Sequence, residues 1–305
     1  MSAESMGARP TARVGRPWRR WKLGTYAAVA MLLPYGVVLV VFFLVPISLV
    51  VLLSFQSYVV GKPLDPALRL DNYVRLFTDS FYLGTIENTL KLGLAVTSIA
   101  ILLGYPVAYS LARSRSRFRW VLRLLLMAPL LVSVIIRTYG WLVLLSNSGL
   151  INQLLMAIGV TQEPVRFLFD VKGIVIGLVE VTLPLMILTM IGVIENIPEE
   201  QEQAALSLGA NRFRTFFAVT LPLSLPGVLA GSMLVFAVVV ASFVTPMLLG
   251  GPALMLLSTM IYQQITVTLD WSFGAALSTI MLLMSLVIFF VSSKLVGSAG
   301  PARSV

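Results

Sequence analysis

Cysteine and histidine are both absent from the 305 residues, and only 11% of the side chains are charged. Without cysteine there are no disulfides and no thiolate metal sites. Without histidine there is no imidazole ligand and no side chain that ordinarily titrates near neutrality. Acid–base or nucleophilic catalysis by either residue is therefore excluded within this chain. The scarcity of charge has a wider consequence. With 58% hydrophobic residues and a mean hydropathy of +0.94, the apolar side chains cannot all hide in one soluble core beneath a polar surface. The chain reads as a membrane protein. It also lacks a phosphate-binding loop of the form G-x-x-x-x-G-K-[ST] and a nucleophile elbow G-x-S-x-G. It therefore cannot hydrolyse ATP alone, and an embedded hydrolase is a weak reading.

A helix needs about 20 mostly apolar residues to cross roughly 30 Å of hydrocarbon. Six stretches qualify, at 26–55, 88–112, 122–145, 174–194, 222–249 and 275–295. An all-α fold of six transmembrane helices follows, with a basic tail at 1–25, a six-span membrane region at 26–295 and a short tail at 296–305. The first stretch carries Pro34 and Pro46 and is expected to kink, tilt or overrun the bilayer. Its apolar run is too long for a cleaved signal peptide.

Lysine and arginine accumulate on the cytoplasmic side, because translocating them is disfavoured. Arg9, Arg13, Arg16, Arg19, Arg20 and Lys22 precede the first stretch, and Arg113, Arg115, Arg117, Arg119 and Arg123 follow the second. Both segments are expected inside, and with six spans both termini are cytoplasmic. The net charge of +9 is explained by orientation in the bilayer, so nucleic acid is not an expected partner. The arginine run ARSRSRFRW reads as a topology signal with some contact to anionic lipid. On the opposite side, 56–87 and 146–171 are long enough for short surface helices, and DNYVRLFTDSFYLGTI has near-helical apolar spacing suited to the membrane interface.

The segment 199–222, EEQEQAALSLGANRFRTFFAVTLP, is polar at its start, carries the helix breaker Gly209 near its middle and ends at Pro222. Two short helices with a bend are expected. Ala204 and Ala205 favour helix with little bulk, Gly209 lets the backbone turn, and Asn211, Arg212 and Arg214 offer polar contacts. The spacing resembles the cytoplasmic coupling loop of ABC-importer permeases, Glu-Ala-Ala, three residues, Gly, nine residues, Ile-x-Leu-Pro. Gln203, Ala204, Ala205, Gly209, Val219, Leu221 and Pro222 fall on those positions, with Gln203 for Glu and Val219 for Ile as departures.

Further segments, IIRTYGWLVLLSNSGLIN at 135–152 and FVTPMLLGGP at 243–252, look like those of spermidine/putrescine-type permeases. The resemblance implies the type I importer permease fold and a bacterial cytoplasmic-membrane location. It implies a second permease, homologous but a different chain, together with an ATPase dimer that binds ATP and Mg and an external solute-binding protein; no cofactor is expected in this subunit. It also implies that 203–212 meets the ATPase in a cleft, where the motif's glutamate commonly contributes an ionic contact that Gln203 cannot make. Permeases for other small organic solutes and for ferric iron share the same core.

Ionisable groups inside a bilayer cost about 2.5 to 3.5 kcal/mol on insertion scales and face protein or water. Lys91, near the start of the second stretch, is expected to snorkel to the interface. Arg137 is followed by Tyr139 and Trp141. Glu180 is followed by Thr182 and by Pro184, which frees a backbone carbonyl one turn earlier and is expected to break the helix there. These residues, Arg137, Tyr139, Trp141, Glu180 and Thr182, are the candidates for a translocation path, with a structural Arg137–Glu180 bridge as the competing reading. Gly227 and Gly231 form a G-x-x-x-G pair suited to close helix packing. A secondary transporter or channel remains an alternative, since intramembrane charges also mark ion relays.

Overall fold

The computed structural model describes residues 25–57, 67–251 and 254–299. Most of the expected tails, and with them Arg9 to Lys22, lie outside the described residues, as do Lys62 and Pro252. The chain divides between Ser48 and Leu49 into two units. The described part of the first unit comprises α1 (Thr25–Leu39), a π-helical turn (Val40–Leu44) and the beginning of α2 (Val45–Ser54).

The second unit continues with α3 (Asp71–Thr78), α4 (Ser80–Arg113), α5 (Arg119–Met127) with a 3-10 turn (Ala128–Leu131), α6 (Val134–Leu144) and α7 (Leu150–Ala157). It proceeds through α8 (Val171–Glu195), α9 (Glu199–Ser207), α10 (Arg212–Thr215) and a second π-helical turn (Phe216–Thr220). It ends with α11 (Leu221–Ala241), α12 (Val244–Leu249), α13 (Leu257–Thr266) and α14 (Trp271–Ala299). No strand occurs among the described residues.

Five helical stretches are long and apolar enough to cross a membrane: Leu32–Ser54, Ser80–Arg113, Val171–Glu195, Arg212–Ala241 and Trp271–Lys294. The third expected span differs from a straight helix. It is a pair, Arg119–Leu131 and Val134–Leu144, bent by 95°. Pro129 removes a backbone donor and crowds the carbonyl four residues back, so the chain tightens into the 3-10 turn and then extends at Val132 and Ser133 before a new helix starts. The fifth span also stops short of its expected end. It ends at Ala241, where Ser242 is extended. Pro246 cannot bond the carbonyl of Ser242, which accepts instead from Ser258 Oγ at 2.7 Å.

Prolines act differently at the two π-helical turns. Val45 N–H bonds the Val40 carbonyl and Leu221 N–H bonds the Phe216 carbonyl, each five residues back, and a proline, Pro46 or Pro222, follows immediately. The extra residue in each turn relieves the clash with the proline ring without breaking the helix. Arg212–Ala241 therefore runs as one 30-residue stretch. The second loop helix is not a separate short element, as the sequence suggested, but the head of a membrane span.

Helices α4, α8 and α11 pack against one another and form the main core. Its centre holds Val96, Ala100 and Ala108 from α4, Met186, Ile187 and Met190 from α8, and Val235 and Val239 from α11, all buried. Close approach is made possible by the expected glycine pair on α11. A Cβ at Gly227 would come within 2.8 Å of Val193, and one at Gly231 within 2.5 Å of Met186 Sδ. Tyr105 and Ser224 share a 2.7 Å hydrogen bond across the buried α4–α11 contact. A second cluster, on the other end of α4, joins Leu76, Tyr82, Leu257, Met260, Phe273 and Leu277. The 71–86 segment is two helices, because the Asp79 side chain accepts from Phe81 N–H and starts α4 anew.

Candidate functional site

Two places hold the residues singled out from the sequence, and the loop 199–222 is the better defined. Helix α9 ends in a Schellman motif: Ala210 N–H bonds the Ala205 carbonyl at 3.1 Å and Gly209 N–H the Leu206 carbonyl at 3.0 Å. That closure needs a left-handed residue, and Gly209 has φ +88°. Its missing Cβ faces open space, so glycine is required there by the backbone and not by crowding. Asn211 then starts the next helix by accepting from Arg214 N–H at 2.7 Å. Its side-chain oxygen is engaged in that cap.

Gln203, Ala204 and Arg212 are exposed, and Ala205 is half-buried against the turn. The loop tip also carries apolar side chains that sequence reasoning passed over. Leu208 is 90% exposed and Phe213 73%, with Phe217 stacked at a tilt beside Phe213 at 4.7 Å between centroids. Large apolar groups standing out from a charged loop signal a partner surface. Their signal in the sequence is LSLGANRF, where Leu208 and Phe213 flank the turn at Gly209.

At the root of the loop, Arg113, Arg115 and Arg123 pair with Glu202, Glu199 and Glu195. Two arginines of the run ARSRSRFRW, Arg113 and Arg115, are thus engaged with the protein's own acids, as is Arg123 just beyond it.

The second place is a cavity of 560 Å³ bounded by α4, α5, α6 and α8. Its walls include Ile99, Leu103, Leu126, Trp141, Val179 and Glu180. Glu180 is the charged group in that lining, and Arg137 Nη1 lies 3.4 Å from its Oε1. The bridge is mostly buried, at 11% and 26% side-chain exposure, while Glu180 Oε2 and Arg137 Nε are buried without a partner. Arg137 and Trp141 share a face because four residues separate them on α6.

The other two path candidates are not brought here. Tyr139 lies 56% exposed, and Thr182 is fully buried with its hydroxyl bonded to the Leu178 carbonyl at 2.8 Å. Nor does Pro184 break the helix as expected, because α8 is continuous through it. Lys91 lies outside the cavity lining, paired with Glu87 one turn earlier at 2.7 Å, both exposed.

Residues 97–298 match the family described as the binding-protein-dependent transport system inner membrane component. The chain belongs to that family. The permease is 32% identical over 260 residues to the spermidine/putrescine transport system permease protein PotB of Haemophilus influenzae, covering 84% of this chain and 91% of the relative. It is 33% identical over 260 residues to PotB of Escherichia coli K12, covering 84% and 94%. Among solved structures, a bacterial ABC transporter involved in import of the acidic polysaccharide alginate superposes with a TM-score of 0.71. That match covers 90% of this chain and 96% of that one at 21% identity, a likeness of fold. The permease therefore has the ABC-importer permease fold and is an inner-membrane component of a transporter.

Proposed function

We propose that this permease carries a polyamine, such as spermidine or putrescine, through the cytoplasmic membrane of a bacterium, with the energy supplied by a separate ATPase dimer. The carrying observation is the 32 to 33% identity to two spermidine/putrescine permeases over 260 residues. In this reading an external binding protein delivers the solute, a second, homologous permease completes the path, and ATP and Mg are bound on the ATPase. Both termini and the loop 199–222 face the cytoplasm, where the loop tip meets the ATPase. Leu208 and Phe213 give that tip an apolar surface to bury, and Gln203, Ala204, Ala205, Gly209 and Arg212 shape its flanks.

The cavity beside Trp141 and Glu180 suits an aliphatic ammonium chemically. Apolar walls accept a methylene chain, the carboxylate attracts the charged end, and the indole face adds a cation–π contact. Arg137 opposes this by neutralising Glu180, so a cation must compete with the guanidinium for it.

The test is reconstitution of the complete complex in proteoliposomes with its binding protein. Spermidine or putrescine should stimulate ATP hydrolysis while alginate oligosaccharide and molybdate should not. Stimulation by a non-cationic solute alone would overturn the polyamine reading and leave the family membership untouched.

A further inference from the structure

Helix α4 has no covalent continuity with the loop 199–222, yet its last residue, Arg113, is joined to it by an ion pair. Arg113 Nη2 lies 2.7 Å from Glu202 Oε1, and Arg113 Nη1 donates to the Ile197 carbonyl at 3.0 Å. Thr220, fully buried, donates its hydroxyl to the same Glu202 oxygen at 3.0 Å. Ile197 lies where the chain leaves α8, and Thr220 where it enters α11. One guanidinium and one carboxylate thus hold the exit of α8, the middle of α9, the head of α11 and the end of α4. The pair is only 15% and 17% exposed. A fork-shaped donor with two fixed acceptors in a water-poor site is directional as well as attractive.

The neighbouring pairs differ in kind. Arg115 and Glu199 are 84% and 45% exposed and contribute little. Arg123 joins α5 to Glu195, the last residue of α8, and does not touch the loop.

We propose that Glu202, Arg113 and Thr220 form the joint that makes α4 move with the loop, so that displacement of the loop by the ATPase reaches α4 as well as α8 and α11. They are positioning residues for transport and contact neither solute nor nucleotide. Without the joint, displacement would pass along the chain into α8 and α11 and reach α4 only through its packing against them. The proposal rests on the reading that the loop is where the ATPase docks.

Because the chain contains no cysteine, introduced pairs take spin labels specifically. Labels at Gln201→Cys on α9 and Ser110→Cys on α4, both exposed positions, are measured in the assembled complex, nucleotide-free and trapped with ATP and vanadate. With the joint intact the label distance should be the same in both states. With Glu202→Gln it should shift on trapping while the ATPase still co-purifies, and the exchanged pair Arg113→Glu with Glu202→Arg should restore the constant distance. If Glu202→Gln fails to assemble, Arg113→Gln removes the α4 side of the joint and should show the same shift.

A distance that changes in the native complex overturns the proposal, as does one that stays constant in the variants. Leu208→Arg separates the two readings. If the ATPase co-purifies undiminished with it, the docking reading fails and the joint with it. If Leu208→Arg loses the ATPase but the Glu202→Gln distance stays constant, only the joint fails.

Discussion

Arg137 on α6 and Glu180 on α8 meet at 3.4 Å on the wall of an apolar cavity, leaving one oxygen of Glu180 and the Nε of Arg137 without partners. A pair that only fixed the two helices would be expected to satisfy both groups more fully, because each unmatched buried polar atom costs about 1 to 3 kcal/mol. The two roles respond differently to substitution. If Glu180 receives the solute, Glu180→Gln should assemble normally and lower spermidine uptake about tenfold, and adding Arg137→Gln should not recover it. If the pair serves packing, each single change should reduce assembly by leaving an unpaired charge, and the double change should restore it. Uptake kinetics and the yield of assembled complex, measured together, decide between them.

Gly209 makes a cleaner prediction. Its φ of +88° and open surroundings mean that a substitution meets backbone strain and no clash. Gly209→Ala should destabilise the loop by about 1 kcal/mol, and Gly209→Val by more, because its branched side chain disfavours the left-handed turn. Membrane insertion should be normal in both, while ATPase co-purification or solute-stimulated hydrolysis falls in the order Gly, Ala, Val. Full coupling in the valine variant would show that the turn is not part of the docking element.

Docking itself is best read at Leu208, whose side chain is 90% exposed. Leu208→Arg should abolish ATPase co-purification without altering the permease's thermal unfolding, since little native packing is lost. Gln203→Glu, restoring the family's usual acid, should leave the complex intact and tighten it modestly, by about 0.3 to 1 kcal/mol for one exposed charge pair. Loss of the complex with Gln203→Glu would mean that the partner groove is acidic at that point.

Orientation is tested by accessibility. Single cysteines at Arg117 or Ala210 should resist membrane-impermeant thiol reagents in intact cells, and one at Val160 should react. The reverse pattern would overturn the cytoplasmic placement of the loop.

Much of the permease was legible in one dimension because burial in lipid demands long apolar runs, and such runs are visible as composition. The apolar stretches, the first helix of 199–222, the glycine that turns the chain after it and the small residues at the α8–α11 contact all depend on residues near one another in the chain. Proline was less legible. Pro129 and Pro246 accompany breaks, whereas Pro184 leaves α8 intact and Pro46 and Pro222 follow π-helical turns. The residue type names the missing hydrogen bond, but the surrounding helices decide whether the chain breaks, bulges or continues.

The sequence by itself determined the membrane class, the family resemblance and the turn at Gly209, each carried by local chemistry or spacing. Only the tertiary structure decided that the arginines at and after the end of α4 hold the acids around the loop, that Glu180 and Trp141 line one cavity and Thr182 does not, and that Arg212 begins a membrane span. Arg113 and Glu202 are 89 residues apart in the chain. Many arginines and acids could satisfy a charge pattern, and only the packing of α4 against α8 and α11 brings these two within hydrogen-bonding distance.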